Sequence, residues 1–124
     1  MLFRMGKMDE LEKIVNQDLL FDCYGDLLTG HQKRIYEEVV FNDYSISEVA
    51  KDEGISRQGV SDMIRRSSEQ LTFYEKKLGL VKKYKHRKKK LEEIKKLTGI
   101  FQRDRDPEHV SRIEEIAGEL LKEG

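Results

Sequence analysis

Apolar residues recur along the chain at spacings of one, three and four, the signature of amphipathic helices. Leu11, Ile14, Val15, Leu20, Phe21, Tyr24, Leu27 and Leu28 predict a helix over residues 10–28, interrupted near Asn16–Asp18. Thr29-Gly30 ends it. Thr29 and Gln32 form a Thr-x-x-Gln capping box for a second helix reaching Phe41, with Ile35, Val39 and Val40 inward. Asn42-Asp43-Tyr44 reads as a turn. Ser45 and Glu48 form another capping box, opening a short helix with the stripe Ile46, Val49 and Ala50. Gly54 stops it, and Ser56 caps the next.

From there Val60, Ile64, Ser67, Leu71, Tyr74, Leu78 and Val81 alternate steps of four and three. This is a heptad seam, suited to a long helix packed along one edge. Packing against the N-terminal helix is the favoured occupant, and a second copy is the alternative. Gly79 marks a break, a continuous helix being the other reading. Leu91, Ile94, Leu97 and Phe101 then resume the pattern. Arg103–Asp106 reads as a charged linker, with Asp106 as cap and Pro107 at the first position of a last helix carrying Val110, Ile113, Ala117 and Leu120. No segment shows a clear two-residue period. The expected fold is all-α: a helix-turn-helix domain over 10–80, then a C-terminal helical extension over 81–124 for packing or oligomerisation.

Composition supports this. Charged residues make up 39% of the chain and hydrophobic ones 37%, which favours long exposed helices over a thick core. The lone Cys23 excludes an intramolecular disulfide and reads as a buried helix thiol. No apolar run approaches a membrane span, and the stretch opening at Met1 is too short for a signal peptide. A reduced, soluble, cytoplasmic protein is expected, with the first seven residues disordered or preceding the native start. The formal net charge is zero but uneven. Residues 1–30 hold three basic and six acidic side chains, residues 31–90 fifteen and nine, and residues 91–124 six and nine. A basic middle, more than the total, is what attracts a polyanion.

The segment from Ser45 to Arg66 carries the functional signal. Ala50 is small where two helices cross, Gly54 suits a turn needing positive φ, and Ile55 is expected to plug that turn. Val60 and Ile64 are the buried residues of the second helix, facing Val49. Together these positions describe a helix-turn-helix of the DNA-binding type. Glu53, at a position often apolar, and Gly59, inside a helix, are off-pattern. Arg57, Gln58, Ser61 and Asp62 are assigned to base edges, because Arg and Gln pair bidentately with bases in the major groove. Asp62 suits only a cytosine amine. Ser56, at the helix N-terminus, suits a phosphate, as do Lys33, Arg34, Arg65 and Arg66.

On these residues the chain resembles region 4 of bacterial sigma factors over Ser45–Leu71, in Ile46-Ser47, Val49-Ala50 and Gly54-Ile55-Ser56-Arg57-Gln58-Gly59-Val60. It is more similar still to the YlxM family, small bacterial proteins whose gene lies beside those for the signal recognition particle. Leu27-Leu28-Thr29, Asp43-Tyr44-Ser45-Ile46, Ile64-Arg65-Arg66 and Tyr74-Glu75-Lys76-Lys77-Leu78 carry that similarity, which covers residues 17–97. The resemblance implies a DNA-binding or regulatory role and a link to the signal recognition particle pathway.

A second surface is the run Lys82, Lys83, Tyr84, Lys85, His86, Arg87, Lys88, Lys89, Lys90. It reads either as a solvated helix face or as a phosphate-tracking patch for DNA, or for RNA with Tyr84 stacking on a base. Catalysis finds no support: His31, His86 and His109 are too scattered for a metal motif, and neither a nucleophile elbow nor a phosphate-binding Gly-rich loop occurs. No cofactor or metal is expected. Duplex DNA is the expected partner and a homodimer the expected state, through the heptad seam or the last helix around Ile113 and Leu120. An RNA or ribonucleoprotein adaptor, or a protein-interaction module on the same scaffold, is the alternative.

Overall fold

The computed structural model describes residues 15–123, which form helices and turns with no strand among them. The chain forms two compact units, Met1–Val81 and Lys82–Gly124.

In the first unit, α1 is described over residues 15–24 and continues as a 3₁₀ turn at Gly25–Leu27. It runs through Asn16–Asp18 without the expected interruption. The positions Leu11 and Ile14, and the expectation for the first seven residues, lie outside the described residues. Helix α2 (Gly30–Tyr36) carries the full capping box: the Thr29 hydroxyl accepts from Gln32 N–H, and Gln32 accepts from Thr29 N–H. A π-helical turn, Glu37–Phe41, extends α2. It directs Val39 to one part of the core and Val40 and Phe41 to the other. Asp43 has φ 58°, so the predicted turn closes through the left-handed region.

Two more helices complete the motif, α3 (Ile46–Glu53) and α4 (Arg57–Leu78). Ser45 accepts from Glu48 N–H at 3.0 Å, the first half of the second predicted box. Ile35, Val49, Ala50 and Val60 form a buried cluster between α2, α3 and α4, with Ile46, Met63 and Ile64 against it. A second cluster unites Tyr24, Leu28, Tyr36, Leu71 and Val81, and Ile64 touches both. Phe21 stacks on Tyr36 at 5.4 Å and meets Phe41 at 5.0 Å. Leu71 of the heptad seam is therefore buried inside this unit against α1 and α2 residues, and Ser67 is buried as well. Leu78 is not: it is half-exposed. Cys23 is only partly buried, and that burial pushes its thiol pKa up, away from thiolate reactivity.

Gly79, at φ 65°, ends α4, and α5 (Leu80–Asp104) begins at once. The start of α5 is tied down by a buried tyrosine. The Tyr24 hydroxyl donates to Glu75 Oε1 at 2.7 Å and accepts from Leu80 N–H at 3.0 Å, while Glu75 also accepts from Val81 N–H. Otherwise unpaired N–H groups of a helix start are satisfied in this way.

In the second unit, the rest of α5 and α6 (Pro107–Glu123) make an antiparallel hairpin. Lys90–Glu119 at 2.6 Å, His86–Glu123 at 2.7 Å and Arg112–Glu93 at 3.3 Å cross between the helices. Asp106 caps α6 by accepting from Glu108 N–H, with Pro107 at the first helical position. The charged linker is shorter than expected, since α5 runs to Asp104 and only Arg105–Asp106 remains between the helices. Ile116, absent from the predicted stripe, is the fully buried residue of α6, whereas Val110 is 46% exposed.

Candidate nucleic-acid interface

The turn between α3 and α4 follows from its sequence. Gly54 adopts φ 67°, a conformation that strains residues with a Cβ, and its neighbour Ile55 donates back to Ala50 C=O at 3.1 Å. Ser56 then caps α4 by accepting from Gly59 N–H at 2.9 Å. A Cβ at residue 59 would lie 3.2 Å from that Ser56 oxygen, so the glycine gives the cap room. Ile55 does not plug the turn. It is 38% exposed, and its side chain borders Gly59 on the surface. The cluster already filled by Ile35, Val49, Ala50 and Val60 leaves no need for it.

Glu53 is the departure with the largest consequence. A carboxylate at a helix C-terminus opposes the helix dipole. Here it is held by Arg34, whose Nη2 lies 2.9 Å from both its oxygens, and by His31 at 3.0 Å. The position often filled by an apolar residue is instead a polar clamp of α3 onto α2. Arg34, then His31, holds the Glu53 carboxyl below its usual pKa. A carboxyl shifted down in the folded chain stabilises the fold above its ordinary pKa, and that contribution is lost as pH falls through the lowered value. The stability gap between wild type and Glu53→Gln is therefore expected to be widest near neutral pH and to close below about pH 4. Thermal melts of both proteins across this range check it; a gap that persists unchanged in acid removes the clamp.

The outward face of α4 opposes a stripe in which Val60 and Ser67 are buried and Ile64 is partly buried. Arg57, Gln58, Arg65 and Arg66 are exposed there, and Ser61 and Asp62 are partly covered. The outermost line is internally paired. Gln58 Nε2 donates to Asp62 Oδ1 at 3.1 Å, and Arg65 lies 3.5 Å from both Asp62 and Glu69. Glu69 is a second carboxylate on this face that sequence reasoning missed; its four-residue spacing from Arg65 was the available signal.

The two α2 cations are also occupied. Lys33 pairs with Asp26 at 2.6 Å, which lowers the Asp26 pKa and raises that of Lys33, and Arg34 serves Glu53. Each cation's charge is thus already partly met by a carboxylate before a phosphate approaches.

The basic run lies on α5. Lys82, Lys83, Tyr84, Lys85, Arg87, Lys88 and Lys89 are exposed, while Lys90 is partly covered and turned to Glu119. Among the described residues no group of His, Cys, Asp and Glu is arranged to hold a metal ion, and no helix is long and apolar enough to cross a membrane.

Comparison with known proteins adds a family. The model described as "Putative helix-turn-helix protein, YlxM / p13 like" matches residues 11–109. A UPF0122 protein of Thermoanaerobacter sp. (strain X514) is 48% identical over 103 residues, covering 82% of this chain and 88% of that protein. One from Bacillus licheniformis is 41% identical over 106 residues, 86% of this chain and 94% of the relative. One from Listeria welshimeri is 43% identical over 83 residues, 67% and 76% respectively.

Proposed function

Because the chain belongs to the YlxM / p13-like family of helix-turn-helix proteins, we propose that it is a regulatory protein binding duplex DNA through the first turns of α4. The observation that carries this reading is the outward face of that helix. Arg57, Gln58, Arg65 and Arg66 are exposed on a helix whose other side is locked into a buried cluster. Such a helix is rigidly presented, and its N-terminal residues are those that reach base edges in this motif.

In this reading Arg57 and Gln58 contact base edges with Ser61, and Asp62 accepts from a cytosine amine. Gln58 is released from Asp62 on binding, which trades one hydrogen bond for another. Ser56, Arg65 and Arg66 contact phosphate, with Lys33 and Arg34 joining where they exchange partners. Two half-sites one turn apart would need a homodimer. Its contact would use a surface other than Ser67 and Leu71, which are buried within the unit. The family resemblance extends the proposal to the signal recognition particle pathway, which co-purification with that particle tests.

Selection of bound duplexes from genomic fragments, followed by titration at several salt concentrations, tests the DNA reading. The logarithm of the affinity should fall linearly with the logarithm of salt concentration. Arg66→Ala should lower that slope by about one and weaken all sequences alike. Binding without salt dependence, or an Arg66→Ala slope equal to wild type, would remove the phosphate role.

A further inference from the structure

The pattern Leu91, Ile94, Leu97, Phe101 predicts one apolar stripe on α5, and the structure divides it. Ile94, Leu97 and Phe101 are partly buried in the hairpin, while Leu91 is 56% exposed. His86, Lys90 and Glu93 mark the side of α5 that faces α6, since each pairs with an α6 residue. At 3.6 residues per turn, Tyr84, Lys88, Leu91 and Lys95 fall on the opposite side. All four are exposed, Tyr84 by 47%. They follow one another at steps of four, three and four. The second unit therefore presents outward a stripe of two large apolar side chains alternating with two lysines, flanked by Arg87 on one side and Glu92 on the other.

We propose that this stripe is a docking surface for an acidic amphipathic helix of a partner protein. Two features select that occupant. Tyr84 and Leu91 are seven residues apart, the spacing at which a second helix packs apolar residues along a seam. Lys88 and Lys95 lie between and beyond them, so the occupant must carry carboxylates opposite them. A second copy packed parallel would set lysines against lysines, and one packed antiparallel would set Lys88 against Leu91 and Lys95 against Tyr84, so neither arrangement gives the lysines a carboxylate. A nucleic-acid backbone would use the cations but gain nothing from Leu91, since an aliphatic side chain offers a base no ring to stack on.

The probe is an 18-residue helical peptide with leucines three and four apart and glutamates elsewhere, titrated into the full ¹⁵N-labelled chain. Chemical-shift changes are expected along residues 84–95. Leu91→Ser, and separately the double variant Lys88→Glu/Lys95→Glu, should each weaken binding at least tenfold. Because these side chains are exposed, unchanged helical circular dichroism verifies folding. The same peptide with lysines in place of glutamates should not bind. Equal binding of the lysine peptide, or unchanged affinity in either variant, overturns the proposal. So does tighter binding of a single-stranded oligonucleotide at the same residues with no dependence on Leu91. To identify the occupant in cells, a photo-crosslinking amino acid is placed at position 91. The proposal expects a crosslinked peptide rich in Asp and Glu with apolar residues three and four apart. A crosslink to nucleic acid, to a second copy, or to another part of the same chain overturns it.

Discussion

Ile35→Ala is expected to lower the unfolding free energy by about 2–5 kcal/mol. Ile35 is fully buried where α2 meets Val49, Ala50 and Val60, so truncation removes buried apolar surface and leaves a cavity that rigid helices cannot close. Domains of this size are stable by only about 5–15 kcal/mol, so the loss is a large part of the total. Urea denaturation followed by circular dichroism measures it. Ile55→Ala is the matched control. Ile55 is 38% exposed on the turn, and its truncation is expected to cost well under half as much as that of Ile35. Equal costs for the two would mean that Ile55, not the Glu53 clamp, closes the turn.

Arg57→Ala should weaken binding to the selected duplex by about 1–3 kcal/mol, or roughly 5- to 150-fold, and relax preference at one base pair. Loss of preference separates base reading from phosphate contact, because removing a phosphate contact lowers affinity for every sequence alike. Arg57 is exposed at the first position of α4, so the substitution should leave the fold intact. Asp62→Asn runs the other way on non-specific DNA. It removes a carboxylate from the face proposed to meet phosphates and frees Arg65 from one of its two acidic partners. Titration of both variants on the selected site and on scrambled duplex gives the two effects separately. Equal losses on both duplexes for Arg57→Ala would reassign Arg57 to the backbone.

Around Glu53, local signals and tertiary contacts diverge. Capping at Thr29, Ser45, Ser56 and Asp106 was legible, because an N-cap hydroxyl or carboxylate serves an N–H only two or three residues away. The buried positions Ile35, Val49, Ala50 and Val60 were legible too, because a helix repeats its inward face every three or four residues. The partners of Glu53 were not. His31 and Arg34 lie 22 and 19 residues away, and no spacing rule links them. The same holds for Tyr24, whose hydroxyl meets Glu75 51 residues on and Leu80 56 residues on.

Sequence periodicity also marked which helices are amphipathic without marking how wide each face is. Leu91 and Ile94 share one apolar pattern, yet α6 covers only part of it. The stripe chosen for α6 likewise missed Ile116, its one fully buried residue.

Helix identity, the capped helix starts at Thr29, Ser45, Ser56 and Asp106 and the glycine turn at Gly54 were thus decided along the chain, by hydrogen bonds and backbone preferences that act within a single turn. Which cations stay available to a polyanion was decided only by the folded unit. Lys33, Arg34 and Lys90 each found a carboxylate, and whether a charge meets one depends on packing between helices.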